Sequence, residues 1–470
     1  MAISTKPPSG MRDFLPAELA RRRYVIDTIQ QTYEKYGFVP VETPSIENLS
    51  TLLGKYGDEG DQLLFRILHR RDKLTRAIHK IGEEKLKAGQ PGLTVGETSS
   101  TEVAEKDLAD LGLRYDLTVP LARLIANNPE LPKFFKRYQI QPVWRADRPG
   151  RGRFREFWQC DVDITGSKSL IAEAEVCSAV AEVLLELGFT NFEIHLNHRQ
   201  LLKSLIKAAG IAAENEAITL VAVDKLDKIG VEGVEKELAQ RGISISQSRA
   251  LIDLIQRPCG LDEKSELQRL KQSLSGDKIA DSAIAQLEEL CHLLDSSKAS
   301  GHYSIDASLA RGLGYYTGPI FEIRSADFSG SLGGGGRYDG LIGMFKGSEI
   351  PAVGFSIGFE RLLLVLEEKN LFGQLACGPD VVICHFDDVA DAAVIEAANS
   401  LRRHGVKVEI FPETPKLGKQ LAYAESIGVS WVAIMGANEA AEKVLSLKHL
   451  VSGEQQKLNY PETAARILQK

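Results

Sequence analysis

A mostly antiparallel α+β part, interrupted by a helical insertion and followed by a smaller α/β domain, is the fold class that the 470-residue sequence predicts. Three observations carry it. Aromatic and branched residues at 134–145 and 153–164 flank a turn-forming RPGRG, the layout of an antiparallel hairpin with a long loop. From about Arg199 to Ser300 the chain places Leu and Ile at helical steps almost throughout, with breaks at Gly242, Pro258 and Gly276. Beyond FGQLACGP the rhythm changes to DVVICHF, a helix through AVIEAANSLRRHG, then VKVEIFP, another helix and WVAIMG. Strands alternating with helices indicate parallel strands in a unit of its own.

Taken in order, Pro16 opens a helix over AELARRRYVIDTIQQTYEKY, and Gly37 stands where a left-handed cap ends it. FVPVETPSI reads as a short strand broken by Pro40 and Pro44, which lack ladder donors and suit an edge or interface. Between Arg70 and Gly112 the composition turns charged and polar without an apolar period, so this span is expected to be a surface insertion. After the hairpin come a helix, SLIAEAEVCSAVAEVLLELG, and a strand, FEIHL. Strand signals return with GYYTGPIFEI, SLGGGGRYDG and PAVGFSIG before the helix FERLLLVLEE. The expected domains are 1–198 and 301–372 as two parts of one core, 199–300 as the helical insertion, and 380–470 as the terminal domain.

Composition narrows the function. At 43% hydrophobic and 26% charged, the chain has the balance of a soluble globular protein; no window reaches a membrane span and MAISTKPPSGMRD has no apolar core for a secretory signal. A cytoplasmic location without membrane attachment is expected. The six cysteines lack CxxC spacing, so neither a zinc site nor a disulfide frame is suggested and buried free thiols are expected. The nine histidines show no ligand spacing such as HExxH. A net charge of -7 excludes indiscriminate nucleic-acid binding but leaves room for a local basic patch. One such patch is PVWRADRPGRGRFREFWQCDVD, with Arg145, Arg148, Arg151, Arg153 and Arg155 between apolar flanks.

An arginine ending one strand, a loop, and an aromatic on the returning strand, here Arg145-Ala-Asp147, then Arg153, Phe157 and Asp161, resembles motif 2 of class II aminoacyl-tRNA synthetases. RYDLTVPLAR at 114–123, ARGLGYYTG at 310–318, and GGRYDGL followed by VGFSIGFERL accompany it in order. Together with PPSGMRDFLP at the start, they are similar to the histidyl-tRNA synthetase family over nearly the whole chain. The resemblance implies a class II catalytic core, an antiparallel sheet flanked by helices, with an anticodon-binding α/β domain over 380–470. It implies ATP, L-histidine and tRNA(His) as substrates, with magnesium on the outer phosphates and no distinctive metal-ligand set. It also implies a homodimer, because the region of helix 17–36 and Pro44 matches motif 1.

The same resemblance assigns residues. Arg145 bridges the α-phosphate and the histidine carboxylate, and Arg311 is a second cation at the α-phosphate. Phe157 forms the floor under adenine with Asp147 near its exocyclic amine, while Arg153 and Arg361 hold the γ-phosphate. Asp116, Thr118 and Gln159 receive the α-amino group; Asp163 and Tyr316, with Tyr338, surround the imidazole. The chemistry suits these residue types. Planar guanidiniums grip carboxylate and phosphate oxygens with a fixed fork of donors and stabilise developing charge without reorganising. A carboxylate accepts the ring N–H and fixes its tautomer. A tyrosine pair on a strand is otherwise a packing feature. Arg148, Arg151 and Arg155 read equally as solvated charges or as contacts to the tRNA acceptor end. GGGGRYDG reads as backbone packed closely against a ligand in preference to a flexible linker.

Two departures stand out. Gly314 replaces the Asp of the family's RGLDYY, and Asp116 and Asp163 are shorter acids where many bacterial members carry Glu. Two alternatives share the fold: a regulatory paralogue that binds ATP phosphoribosyltransferase, which typically lacks the terminal domain and catalytic arginines, and a synthetase for another amino acid such as proline or threonine.

Overall fold

The computed structural model describes residues 4–87, 108–310, 314–373, 375 and 377–469. Two compact units result, one of residues 1–13 and 21–373, the other of 14–20 and 374–470.

The first unit is organised by an eight-stranded sheet. The hairpin strands Phe135–Trp144 and Glu156–Thr165 pair antiparallel over their full lengths, with Phe135 opposite Thr165 and Trp144 opposite Glu156. Antiparallel pairing then continues through Ala352–Gly358, Phe328–Arg337, Pro319–Ser325 and Glu193–His198. The two edge strands, Val39–Pro40 and Tyr303–Ile305, run parallel to their neighbours. Pro40 thus occupies an edge, where its missing N–H costs the ladder nothing.

Strand alternation divides the sheet into a packed face and an open one. Tyr138, Cys160, Val162 and Ile164 are buried in the main core with Val25, Ile29 and Tyr33 of the helix Pro16–Lys35. The helix Ile171–Glu186 packs on Ala352–Gly358 and is apolar nearly all round, which accounts for its burial. The opposite face carries a polar row: Gln159, Asp161 and Asp163 on one strand, opposed by Gln141, Gln139 and Arg137 on the next. All six are too polar to pack against a helix, and they define the face where a ligand has room.

Glycine makes that face accessible. The strand Phe328–Arg337 contains all four glycines of GGGG, so the run is a central strand and no linker. Gly333, Gly334 and Gly335 line the clefts described below, and part of the close approach read from the run is made to a neighbouring strand. A Cβ on Gly335 would lie 1.9 Å from the Gly354 carbonyl oxygen, so the neighbouring strand itself forbids one. Gly354 in turn leaves space for a carboxylate, since its Cβ would lie 1.8 Å from Asp163 Oδ1.

The helices of 199–300 begin with Arg199–Ala208 and end with Lys278–Asp295. They share the main core; Lys278–Asp295 packs on both Arg199–Ala208 and Ile171–Glu186. The span read as a surface insertion is in part regular structure. It opens with a helix, Arg71–Lys87, and closes with a strand, Ala109–Leu113, between Ile46–Asn48 and Arg66–Leu68 in a small second sheet. The short alternation of Ala109, Leu111 and Leu113 follows directly on a long polar run, which hides it. Residues 88–107 of that span lie outside the described residues.

In the second unit Val408–Ile410, Val381–His385 and Trp431–Met435 are parallel as expected. Val444–His449 and Gln455–Asn459 extend the sheet antiparallel, so it is mixed rather than all parallel. The helices Asp391–Arg403 and Tyr460–Leu468 share one core with it, and Ala424 of Leu417–Ser426 lies in another. The buried amide of Gln420 closes a strand end by accepting from His385 N and donating to His385 O.

Candidate active site

Two adjoining clefts open on the polar face of the first unit, and Arg145 lines both. The larger, about 410 Å³, is lined by Arg145, Asp147, Arg153, Phe157, Gln159 and Arg361 among others. The smaller, about 150 Å³, is lined by Asp116, Thr118, Arg145, Gln159, Asp163, Tyr316 and Tyr338. Every residue assigned to nucleotide or amino acid therefore borders one of two connected spaces, except Arg311, which lies outside the described residues. The same applies to the expected meeting of three arginines: Arg145 and Arg361 share the larger cleft, and the third is not described.

Arg145 continues the hairpin past its last ladder pair, with its N–H donating to Arg155 O at 2.9 Å. Its Nε donates to Tyr115 O at 3.1 Å, and its guanidinium stands 4.2 Å from the Tyr115 ring centre and 5.1 Å from that of Phe157. Two aromatic rings thus lie within cation–π range of the guanidinium of a residue that lines both clefts. Arg361, on the helix Phe359–Glu368, donates to Ser331 O. Gly152, at φ +65°, lets the loop come close, because a Cβ there would be 3.2 Å from Arg361 Cγ.

The remaining loop arginines divide. Arg151 pairs with the exposed Glu368, and Arg155 donates to Asp147 O at 3.1 Å, holding the backbone of a residue that lines the larger cleft. Arg148 faces a third depression of about 870 Å³ that also includes Lys228 and Arg324.

In the smaller cleft, Asp116 Oδ1 accepts from Tyr56 OH and from Val119 N, both at 3.1 Å. Its Oδ2 is buried without a hydrogen-bond partner, as is Gln159 Oε1. Both are unmet acceptors suited to an ammonium. Burial pushes the Asp116 carboxyl up, opposed by the Val119 N–H and Arg145. Asp163 Oδ1 accepts from Tyr338 OH, and its Oδ2 lies 2.7 Å from the buried Arg137. Burial raises the Asp163 carboxyl too, against Arg137 and Tyr338. The tyrosine pair lies in the turn before Pro319–Ser325, where the sequence suggested a strand, and both rings line the smaller cleft. Arg337 of GGRYDG is structural: it forks onto the buried Glu173 and so fixes its neighbour Tyr338.

Tyr56, Tyr115 and Arg137 escaped the sequence reading. Tyr56 and Tyr115 come together only through tertiary folding, rings 4.5 Å apart. Arg137 had a signal, its place directly across the hairpin from Asp163. A Cβ on Gly314 would meet nothing within 4 Å.

An antiparallel sheet whose open face carries an arginine-ended hairpin, a glycine strand and an arginine-bearing helix is that of a class II aminoacyl-tRNA synthetase. Residues 10–77 and 94–362 match the family described as histidyl-tRNA synthetase, and 380–470 match the anticodon binding domain. A histidine–tRNA ligase of Gloeobacter violaceus is 42% identical, covering 96% of this chain and 95% of its own. The crystal structure of histidyl-tRNA synthetase from Nostoc sp. superposes with a TM-score of 0.77 at 29% identity, covering 99% of both chains. A Bacillus halodurans structure titled as an ATP phosphoribosyltransferase regulatory subunit/histidyl-tRNA synthetase gives a TM-score of 0.71 at 21% identity, a likeness of fold alone. The chain belongs to the histidyl-tRNA synthetase family.

Proposed function

We propose that this chain activates L-histidine with ATP and transfers it to the 3′ end of tRNA(His), and that the two clefts divide the work. The observation that carries the reading is the junction at Arg145, where a carboxylate in the smaller cleft and a phosphate in the larger would meet one guanidinium.

ATP occupies the larger cleft, with adenine on Phe157 beside Asp147 and the outer phosphates held by Arg153 and Arg361. Histidine occupies the smaller, its ammonium on Asp116, Thr118 and Gln159 and its ring on Asp163, Tyr316 and Tyr338. The carboxylate attacks the α-phosphorus in line, the bond to the bridging oxygen breaks, and pyrophosphate leaves. Arg145 grips both reactants, and Arg311 adds positive charge where it grows. Attack of the terminal ribose hydroxyl on the adenylate carbonyl then expels AMP. Among the described residues no group of three or more His, Cys, Asp or Glu is spaced to hold a metal ion. Magnesium would come with the phosphates of ATP, and no step is assigned to it.

We assign catalysis to 1–198 and 301–372, the helical insertion to 199–300 and anticodon binding to 380–470. A homodimer through the motif 1 region and a cytoplasmic location complete the reading. Among the described residues no helix is long and apolar enough to cross a membrane. The regulatory alternative is disfavoured because Arg145 and Arg361 are retained in the cleft and 380–470 matches an anticodon-binding domain.

Histidine-dependent ATP–pyrophosphate exchange tests the reading. Arg145→Ala should lower kcat/KM for exchange at least ~100-fold, the scale of losing one preorganised charge donor. Exchange driven by proline or threonine in place of histidine would overturn the substrate, and no exchange with any amino acid would favour the regulatory class.

A further inference from the structure

On the strand Glu156–Thr165, between Gln159 and Asp163 and on their face, stands Asp161, which has no role in the reading above. It is 2% exposed, it lines the smaller cleft, and its Oδ1 is buried without a hydrogen-bond partner. The elements packed around it bring few charges. Arg137 of Phe135–Trp144 lies 4.0 Å from Asp161 Oδ2 but 2.7 Å from Asp163 Oδ2, so its charge is spent mainly on Asp163. Gln139, directly opposite, gives its amide to Thr43 and Gln141. From Ala352–Gly358 comes Ser356, whose hydroxyl hydrogen-bonds the Asp161 carboxyl but brings no charge, and from Phe328–Arg337 only glycine. Tyr338 and, behind the sheet, Tyr33 and Cys160 are neutral near pH 7, because burial raises all three groups well above their ordinary values, and Tyr316 lines the same cleft. Asp116 and Arg145 complete the set.

A charge count follows for the described residues. Bound histidine pairs its ammonium with Asp116 and its carboxylate with Arg145, while Arg137 pairs with Asp163. Among the described residues Asp161 is left as the carboxyl that no cation pairs with closely, in a site whose ligand carries the one side chain that ordinarily titrates near neutrality.

We propose that Asp161 is a further specificity-determining residue, and that with histidine bound its carboxyl and the imidazole hold one proton between them, as acid and neutral ring or as carboxylate and imidazolium. The inference rests on histidine being the occupant of the smaller cleft. Two buried carboxyls this close do not both ionise cheaply. Consistently, burial raises Asp161 to about 7, with Arg137 and the Ser356 hydroxyl opposing and Asp163 and Asp116 pushing the same way as burial. An amino acid of similar size without a titratable ring leaves the carboxyl unmatched.

Calorimetric titration of histidine into the full-length protein, in buffers of differing ionisation enthalpy, tests the proton count. One shared proton requires net release at about pH 6, where the free ring and free carboxyl together hold more than one, and net uptake at about pH 8, where they hold almost none. Absence of buffer-dependent heat across that range overturns the proposal, whether or not any variant folds. In Asp161→Asn the histidine KM for exchange should rise ~10-fold or more with the ATP KM little changed, the scale of a lost hydrogen bond to a charged group. It should rise further below about pH 6, where imidazolium lacks its counter-charge. An unchanged histidine KM and pH profile sinks the role of Asp161 alone, whereas failure of the wild-type protein to exchange with histidine sinks the parent reading.

Discussion

Gly354 shows how little slack the smaller cleft has. With Asp163 Oδ1 1.8 Å from where a methyl group would begin, Gly354→Ala must expel the carboxylate from its place against Tyr338 and Arg137. The expected result is a histidine KM raised by about two orders of magnitude in exchange assays, since displaced buried polar groups are what discriminate between ligands. Asp161 carries a stability cost as well. Its folded pKa of about 7 lies above the unfolded value, so its contribution is complete below about pH 3.9 and is lost as pH rises through 7. Asp161→Asn removes that loss, and the Tm of the variant relative to wild type should climb from pH 5 to pH 8 in thermal melts. Such residues were partly legible beforehand. Gln159 and Asp163 share the parity of Asp161, and a period of two puts all three on one face. Tyr56 has no such marker, since only tertiary folding brings it against Asp116.

At the scale of elements, the N-terminal segment straps the hairpin loop. Gly10 O accepts from Arg155 N at 2.8 Å and Glu156 N at 3.4 Å, and the Arg12 guanidinium lies 3.4 Å above the Phe154 ring centre while pairing with Glu360. Glu360 also takes two hydrogen bonds from the buried Arg22, at 2.8 and 2.9 Å. The pairing joins the strap, the first long helix and the helix that carries Arg361. Glu360→Ala removes the carboxylate that the buried Arg22 pairs with and should cost about 3–5 kcal/mol in denaturant unfolding. Arg12→Ala leaves the Arg22 pair intact but frees Phe154, which lines the larger cleft, so the ATP KM should rise several-fold with the histidine KM unmoved in exchange kinetics. Local pattern gave the hairpin and the long helices their places, because each is long and strongly periodic. It missed Ala109–Leu113, whose five residues take their meaning from partners at 46–48 and 66–68.

For the molecule as a whole, the two units share neither a core nor a sheet among the described residues. The division was readable from the change of rhythm after residue 372, because the parallel βα repeat has a different hydrophobic period from the hairpins before it. How the helices of 199–300 join the main core was not, since helical periodicity shows that a face is buried and leaves its partner open. A chain ending at Gly373 should keep histidine-dependent exchange and lose tRNA charging, which a filter-binding assay with radiolabelled histidine would register.

The distribution of thiols gives this architecture a practical handle. Cys160, Cys177, Cys291 and Cys384 are buried, whereas Cys259 in the first unit and Cys377 in the second are exposed. Maleimide dyes should therefore attach once to each unit of the native chain, supplying a donor and acceptor for energy-transfer measurements of inter-unit motion without engineering a single residue.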